Sequence, residues 1–457
     1  MRALALFVIA LSTILAPAIA VAQDAAELRR QIDQLQRQLQ SVTDRLQRLE
    51  AQPAPPSAPV PPVPAPPPGA AVAPPPSSTL SAADLARPRQ PFSLYQQRGA
   101  GQLLFDIGIA GDFVGNITQR NVERAGGGTF AGQENRFFPR EVELSLFGQI
   151  DPYASAVVRF EAGEEERGQE TGVSLAEAYL TLLALPFGTQ ARLGQMRNRF
   201  GWSNEVHEHD LPWVDRPNVM RNFFGAEGLQ EKGAEVTWVP DFLPFYLEAL
   251  GGIFNGDNET AFGRTTLQHP LATGRLRTFF ELGIEHGLQL GMSVASGQTA
   301  DRNRSTILGW DARYKYRPDG WLHPLITLTG EALYSIRKAD VPVDLDGDGA
   351  IDVVDKRQRN HAGYYLGLEV QPFRRWSGGV RYDWSQYPVN PGWEWAIEPY
   401  VSFWPSEFLR FRVAWKHTDR STQTRDAFNL NDSSARKVDE LLFQASFILG
   451  AHPAHPF

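Results

Sequence analysis

The segment DLDGDGAIDVVD, residues 344–355, has the residue types and spacing of a twelve-residue calcium-binding loop. Carboxylate oxygens at alternate positions can surround a hard cation, and a glycine at the sixth position allows the sharp turn. Because Asp replaces the bidentate Glu at the last position, weaker binding than in an EF-hand is expected. A solvated acidic loop shaped by glycine turns is the alternative. The predicted calcium ligands are Asp344, Asp346, Asp348, the carbonyl of Ala350, Asp352 and Asp355.

A second group of candidate ligands lies in the long aromatic segment NRFGWSNEVHEHDLPWVDRPNVMRNFFGAEG, residues 198–228. Imidazole and carboxylate suit Zn²⁺, so His207, His209 and Asp210 could bind a metal if another fixed ligand lay nearby. The alternative is a packed, hydrogen-bonded loop that narrows a pore. The other ionisable residues assigned to this constriction loop are Arg197, Arg199, Arg216 and Arg221.

The composition excludes several other chemistries. The chain has no cysteine, which removes disulfides, thiolate metal sites and cysteine nucleophiles. Its formal net charge of −8 argues against nucleic-acid binding. No Ser/His/Asp set and no supported acid/base pair emerges from the sequence. We therefore predict a protein that is not an enzyme and requires no cofactor.

The first 90 residues predict three segments that precede the main domain. Residues 1–22 contain Arg2, an apolar stretch and an A-x-A site ending at Ala22, which is typical of a secretory signal peptide. In residues 23–51, apolar positions from Leu28 to Leu49 alternate spacings of four and three, which predicts a short coiled coil. A monomeric amphipathic helix is the alternative. Residues 52–90 are rich in Pro and Ala and predict an extended linker.

The remaining residues, 91–457, alternate apolar and polar side chains, as in EVELSLFGQI (141–150) and LRFRVAWKH (409–417). Segments of about ten residues can cross a membrane as tilted strands. Short and long connections also alternate, which is typical of bacterial outer-membrane barrels. The predicted fold is therefore all-β, a transmembrane antiparallel barrel of about sixteen strands, with fourteen or eighteen left open. The longer connections are predicted at about 114–138, 163–172, 199–228, 255–275, 297–305, 338–360, 387–393 and 419–437.

Sixteen strands leave an aqueous channel, so the polar side of each strand is predicted to line it. Acidic residues concentrate on the first strands and basic residues on the last. Such opposed charges would orient passing ions or dipoles. Wall residues without a role in selectivity are the alternative. The predicted channel-lining residues are Asp106, Glu141, Glu143, Arg159, Glu161, Arg313, Lys315, Arg381, Asp383, Arg410, Arg412 and Lys416.

Several segments, in order, carry a family resemblance: GQMRNRFGW (194–202), GIFNGDN (252–258), GYYLGLEVQPF (363–373), GGVRYDWSQY (378–387) and a last strand running to Phe457. They resemble the phosphate-selective porins of Gram-negative outer membranes. HEHDLPWVDRP (207–217) is similar to segments of proteins labelled zinc-regulated outer-membrane receptors.

The resemblance implies an outer-membrane porin for small polar or ionic solutes, including anions such as phosphate. It further implies a homotrimer in contact with outer-membrane lipid. The predicted coil and linker would lie in the periplasm, where the coil could contact peptidoglycan. The alternatives are an outer-membrane receptor or transporter, or a structural tether between outer membrane and cell wall.

Overall fold

The structure is a computed structural model of the 457-residue chain. It describes residues 105–450 except 167–168, 171, 321–322, 344–352, 389 and 428–435. The predicted signal peptide, coiled coil and linker lie outside the described residues, as does Phe457. Among the predicted calcium ligands, those from Asp344 to Asp352 also lie outside them.

Strands form most of the described part of the chain. They are β1 (Phe105–Thr118), β2 (Arg136–Asp151), β3 (Ala154–Ala162), β4 (Glu164–Glu166), β5 (Gln169–Glu170), β6 (Ser174–Leu185), β7 (Thr189–Arg197), β8 (Gln230–Trp238), β9 (Tyr246–Phe254), β10 (Leu271–Glu281), β11 (His286–Gln298), β12 (Arg304–Tyr316), β13 (Leu325–Val343), β14 (Val353–Phe373), β15 (Trp376–Gln386), β16 (Trp393–Ser406), β17 (Leu409–Arg420) and β18 (Lys437–Gly450).

Short helices occur only in connections within the described ranges. They are α1 (Arg120–Ala125), α2 (Asn218–Phe224) and α3 (Thr422–Ala427), with 3₁₀ turns at Pro186–Gly188 and Glu208–Asp210. Among the described residues, none of these helices has the length and apolar character needed to cross a membrane.

Sixteen of the strands close into an antiparallel barrel, in which neighbours along the chain are neighbours in the sheet. β1 pairs with β18 to close it, with Gly108 opposite Gly450 and Thr118 opposite Glu440. β4 and β5 form a separate two-stranded sheet in the second long connection. The predicted all-β barrel of sixteen strands is confirmed.

The period-two pattern sorts side chains to the two faces of the barrel wall. On β17, Phe411, Val413 and Trp415 face outward and are 44–45% exposed, whereas Arg410 and Arg412 face inward and are buried. The interior also holds a buried apolar cluster, to which the connection between β7 and β8 contributes most of the aromatic side chains. The outer surface is thus apolar, and the interior is both charged and packed.

Two predicted boundaries are wrong. β10 begins at Leu271, so Arg275 lies in a strand rather than in the fourth long connection. β13 and β14 pair as far as Val343 and Val353, well inside the predicted 338–360 loop. Residues 356–361 are polar at every position, so the sequence shows no alternation that would have identified this part of β14 as a strand. Asp355 consequently lies in β14, opposite Val341.

Candidate functional site

The third long connection, residues 198–229 between β7 and β8, folds inside the barrel and is named the third loop here. Its α2 follows Pro217 and ends at Gly225, whose positive φ of 89° suits glycine. A loop this apolar is stable inside the barrel because burial removes its side chains from water. The buried apolar residues of the loop are Phe200, Trp202, Val206, Leu211, Trp213, Val214, Val219, Met220, Phe223, Phe224 and Leu229.

Trp213 anchors the aromatic part of the loop against β14. Its ring packs edge-on against Tyr365, with centroids 5.1 Å apart, and against Trp202 at 6.2 Å. The wall provides the space through Gly367, where an added Cβ would lie 2.5 Å from Cζ2 of Trp213. A glycine is therefore required at this point of β14 for the indole to fit.

Asp215 forms the main ionic contact between the loop and the wall. Its carboxylate lies 2.7 Å from Nη2 of Arg381 and 2.6 Å from Nζ of Lys416, and all three side chains are buried. Arg221, on α2, adds a third cation at 3.2 Å. Burial raises the pKa of Asp215, but the three cations outweigh burial and hold the pKa well below 3.8. The group is therefore a carboxylate at neutral pH.

Wall side chains also satisfy the polar backbone of the buried loop, as an irregular buried segment requires. Arg412 donates to the carbonyls of Trp213, at 2.5 Å, and Leu211, at 3.0 Å. Arg410 also donates to the carbonyl of Leu211. In the other direction, the amide of Asn218 donates to Asp383 at 3.0 Å. The basic strands β15 and β17 thus contact the loop rather than an open lumen.

The acidic side of the barrel contacts a different part of the loop. Nδ1 of His207 lies 3.1 Å from Glu143 Oε2, and Nε2 lies 3.4 Å from Glu177 Oε2 and against Arg159. Burial and Arg159 lower the pKa of His207, but the two carboxylates outweigh them and raise it above 6.5. Burial likewise lowers the pKa of His209, which Asp210 and Glu141 raise well above 6.5.

The loop crosses the barrel between these contacts. The amide of Gly201 donates to Ser293 on β11 at 3.1 Å, while His207, six residues later, contacts Glu143 on β2. β11 and β2 lie on nearly opposite sides of the barrel. Arg216 is fully buried within this crossing and donates to the carbonyl of Ser203 at 2.5 Å. The third loop therefore spans the lumen instead of lying along one wall.

The predicted channel-lining residues lie on the inward-facing side of their strands, but they divide into two groups. Seven are buried and contact the third loop: Glu143, Arg159, Arg381, Asp383, Arg410, Arg412 and Lys416. Asp106, Glu141, Glu161, Arg313 and Lys315 are only partly buried. Whether these residues select among solutes stays a prediction.

The predicted loop residues are not brought to one centre. His207 and His209 face β2, whereas Asp210 contacts His209 at 3.0 Å. The backbone amide of Arg197 donates to Glu177 at 2.7 Å, and Arg221 lies on the far side of the loop. The sequence suggested His207, His209 and Asp210 as metal ligands, whereas the structure groups only His207 of these with two carboxylates of β2, Glu141 and Glu143.

Sequence reasoning predicted only Arg199 of an inner row of ion pairs that β7–β10 form together with this residue of the third loop. Arg192 Nη2 lies against Glu235, while Arg199 Nη2 lies 2.7 Å from the same carboxylate. Arg277 lies 2.7 Å from Glu248. These three arginine side chains keep 15–19% of their surface exposed, more than Arg381 and Lys416 beside Asp215 but less than Arg221, which keeps 29%. The alternation in LATGRLRTFFE (271–281) could have revealed Arg275 and Arg277 as inward-facing.

Comparison with known proteins gives limited matches. No protein-family model matches the chain. A protein of Aquifex aeolicus (strain VF5), described as uncharacterized, is 29% identical over 352 residues, or 69% of each chain.

Solved structures with a similar course of the chain include the outer membrane channel DcaP of Acinetobacter baumannii. It has 13% identity and a TM-score of 0.48, with 77% of this chain and 99% of that one covered. An anion-selective porin from Comamonas acidovorans has 10% identity and a TM-score of 0.47, covering 76% and 100%. OmpT, an outer membrane protein of Vibrio cholerae, has 7% identity and a TM-score of 0.45, covering 76% and 98%. The identities are too low for a solute or a site residue to be transferred.

Proposed function

We propose that the protein is an outer-membrane channel of the porin type for small polar or ionic solutes, in which the third loop limits the path. The observation that carries this proposal is the closed sixteen-stranded barrel with a charged interior and an apolar exterior. A closed barrel leaves no unpaired sheet edge, which a lipid environment requires. Outward-facing residues such as Trp415 and Phe411 would face acyl chains.

The row of ion pairs on β7–β10 is the proposed route past the loop. Arg192, Arg199 and Arg277 keep 15–19% of their side-chain surface exposed, whereas Arg381 and Lys416 beside Asp215 keep 0% and 2%. A hydrated row of charges would replace part of an ion's hydration shell as it passes. The proposed path is therefore narrow and charged, and its conductance is small while the loop is docked.

Cavities at the loop end of the barrel would serve as the entrance. One of about 300 Å³ is lined by Thr129, Arg221, Lys416 and Arg420 among others. A second, of about 160 Å³, lies near Glu141 and Glu161. Both open beside the third loop, so solutes entering there would meet charges of both signs.

The test is ion conductance of the purified protein in planar bilayers. Reversal potentials in KCl and phosphate gradients would measure selectivity for chloride, potassium and phosphate. Arg199→Gln and Arg277→Gln are expected to shift the reversal potential toward cations, because each removes a positive charge from the proposed path. Lys232→Gln is the matched control, since Lys232 is exposed and pairs with Asp257 outside that row.

The channel proposal would be overturned if the folded wild-type protein showed no ion conductance and a folded variant with a destabilised third loop showed none either. Gated uptake by a receptor or transporter is the second candidate, and the crossing of the lumen by the third loop favours it. In that case conductance would appear only after the loop is displaced.

The proposal extends to a homotrimer in the outer membrane, with the N-terminal coil in the periplasm and available to contact peptidoglycan. Mass measurement of the detergent-solubilised protein, with and without residues 23–51, tests the trimer and the contribution of the coil. A cell-wall pull-down with the same pair of proteins tests the tether.

A further inference from the structure

We propose that the third loop and β2 form a site for a divalent metal ion, with Glu141, Glu143 and His207 as its ligands. One ligand atom from each residue lies within 4.8 Å of the others. The sequence offered His207, His209 and Asp210 from one loop, without a ligand on a rigid element. Strand β2 supplies two. Metal binding here does not depend on whether the barrel conducts.

The two carboxylates are held in place by the sheet. Glu141 and Glu143 are two residues apart on β2, so their side chains leave the same face of the strand. Glu141 is paired with Asp112 on β1, and Glu143 is paired with Ala110 on β1 and Glu161 on β3. Ladders on both sides thus fix the backbone at Glu143, and the ladder to β1 holds Glu141, as a preformed metal site requires.

His207 is presented to this pair by a short turn. The amide of Asp210 donates to the carbonyl of His207 at 3.0 Å and closes the 3₁₀ turn at Glu208–Asp210. His207 and Glu143 are both buried. The imidazole therefore approaches the wall from the loop, while the carboxylates approach from the strand.

Glu143 is oriented with one oxygen toward the imidazole. Its Oε1 accepts a hydrogen bond from Ser145 and lies 3.5 Å from Nε of Arg159. Its Oε2 is shielded from water and pairs with His207 Nδ1, 3.1 Å away, which can supply a proton when the imidazole is charged. Burying a charged carboxylate oxygen is costly unless a cation lies beside it. A metal ion between Oε2 and Nδ1 would supply it, replacing the proton on the ring nitrogen.

Arg159 is the cation nearest the site, and its charge is already balanced. Nη1 of Arg159 lies 2.5 Å from Glu177 and faces Nε2 of His207, which leaves Nδ1 on the side of Glu143. His209 lies behind Glu141, with Nδ1 3.6 Å from Glu141 Oε1. A second imidazole next to a ligating carboxylate can fix the orientation of that ligand.

The site has an entrance. The cavity of about 160 Å³ between the loop and the wall includes Glu141 itself, together with Glu161, Glu208, Glu227 and a single arginine, Arg140, among its lining residues. Carboxylates converging on a cleft raise the local concentration of cations. The cavity thus leads a cation toward the side chain of Glu141.

The donor set selects the class of metal. Imidazole with carboxylate suits Zn²⁺ and neighbouring transition metals, whereas Ca²⁺ and Mg²⁺ prefer oxygen ligands alone. Zn²⁺ bonds of about 2.0–2.2 Å require the three ligand atoms to move somewhat closer than they lie now, which side-chain rotation can provide.

The test is equilibrium dialysis of the refolded full chain with Zn²⁺, in excess Ca²⁺ to occupy the aspartate loop, followed by metal analysis. We expect one saturable Zn²⁺ per chain. Glu143→Gln and His207→Gln are each expected to weaken binding by more than the 10–100-fold typical of losing an outer-shell partner. His417→Gln is the matched control, because His417 contacts Asp439 far from the site.

Folding of each variant is checked by circular dichroism. If Glu143→Gln fails to fold, Glu141→Gln carries the test, because Glu141 is less buried. Absence of saturable Zn²⁺ binding by the wild type overturns the site. Unchanged binding in the folded ligand variants overturns the assignment of the ligands. Both results leave the conductance measurement to decide the channel proposal separately.

Discussion

Asp215→Asn is the substitution expected to release the third loop from the wall. Asp215, Arg381 and Lys416 are buried, so the variant leaves two cations facing a neutral amide without access to water. Removing one partner of a buried ion pair costs about 3–5 kcal/mol. Glu398 and Asp383 remain 2.8 and 2.7 Å from Arg381 and offset part of that cost. We therefore take the lower end, about 3 kcal/mol.

The cost should fall on docking of the loop rather than on the barrel. The wall is held by continuous ladders between neighbouring strands, none of which includes Asp215. At about 1.4 kcal/mol per factor of ten, a loss of about 3 kcal/mol changes the docking equilibrium by roughly 100-fold. The undocked state would leave the lumen open, and its ion conductance would be several times that of the docked state.

Single-channel recording in planar bilayers measures this change directly. We expect Asp215→Asn to show openings to a larger conductance than the wild type, and faster hydrogen exchange in residues 198–229. Asp257→Asn makes the same chemical change on an exposed pair with Lys232 and should alter neither. Equal conductance and equal exchange in Asp215→Asn and the wild type would refute the assignment of Asp215 as the anchor.

Three further outcomes are expected, two from contacts of the third loop and one from the sequence of the aspartate loop. The pKa of Asp215 lies well below 3.8. Its contribution to loop docking is therefore present above about pH 4 and is lost as pH falls through the lowered pKa. The conductance difference between the wild type and Asp215→Asn should vanish only in that acidic range. Gly367→Ala places a Cβ 2.5 Å from Trp213 and should cost about 1–3 kcal/mol, seen as altered tryptophan fluorescence, whereas Gly251→Ala meets no atom within 4 Å and should leave the emission unchanged. If the aspartate loop binds calcium, Asp346→Ala should abolish Ca²⁺ binding measured by calorimetry. Absence of Ca²⁺ binding by the wild-type protein would instead support the alternative, a solvated acidic loop.

The sequence was sufficient to predict the barrel because alternation reports which side of a strand faces inward. It also indicated that the third loop lies inside, since so many aromatic residues are unfavourable in water. It could not indicate partners across the lumen. Arg381 and Asp215 are 166 residues apart, and only the closed barrel brings them together.

The boundary errors have a related cause. Arg275 was assigned to a connection because the apolar alternation around it is interrupted by Thr and Gly in LATGRLR. Residues 356–361 of β14 are polar at every position, as in a strand that extends into water. Where both faces meet water, composition no longer distinguishes a strand from a loop.

The distance in sequence between the third loop and its anchors has a consequence for assembly. Asp215 contacts Lys416, which is 201 residues further along the chain, and among the described strands only β18, which closes the barrel on β1, comes after β17. Contacts so distant in sequence form late and slowly. Until β17 arrives, Asp215 cannot have its final partners, and once β18 has paired with β1 the loop can enter only through an end of the barrel. Loop insertion and closure of the last hairpin must therefore be coordinated, so substitutions such as Asp215→Asn are expected to affect the yield of folded protein as well as its conductance.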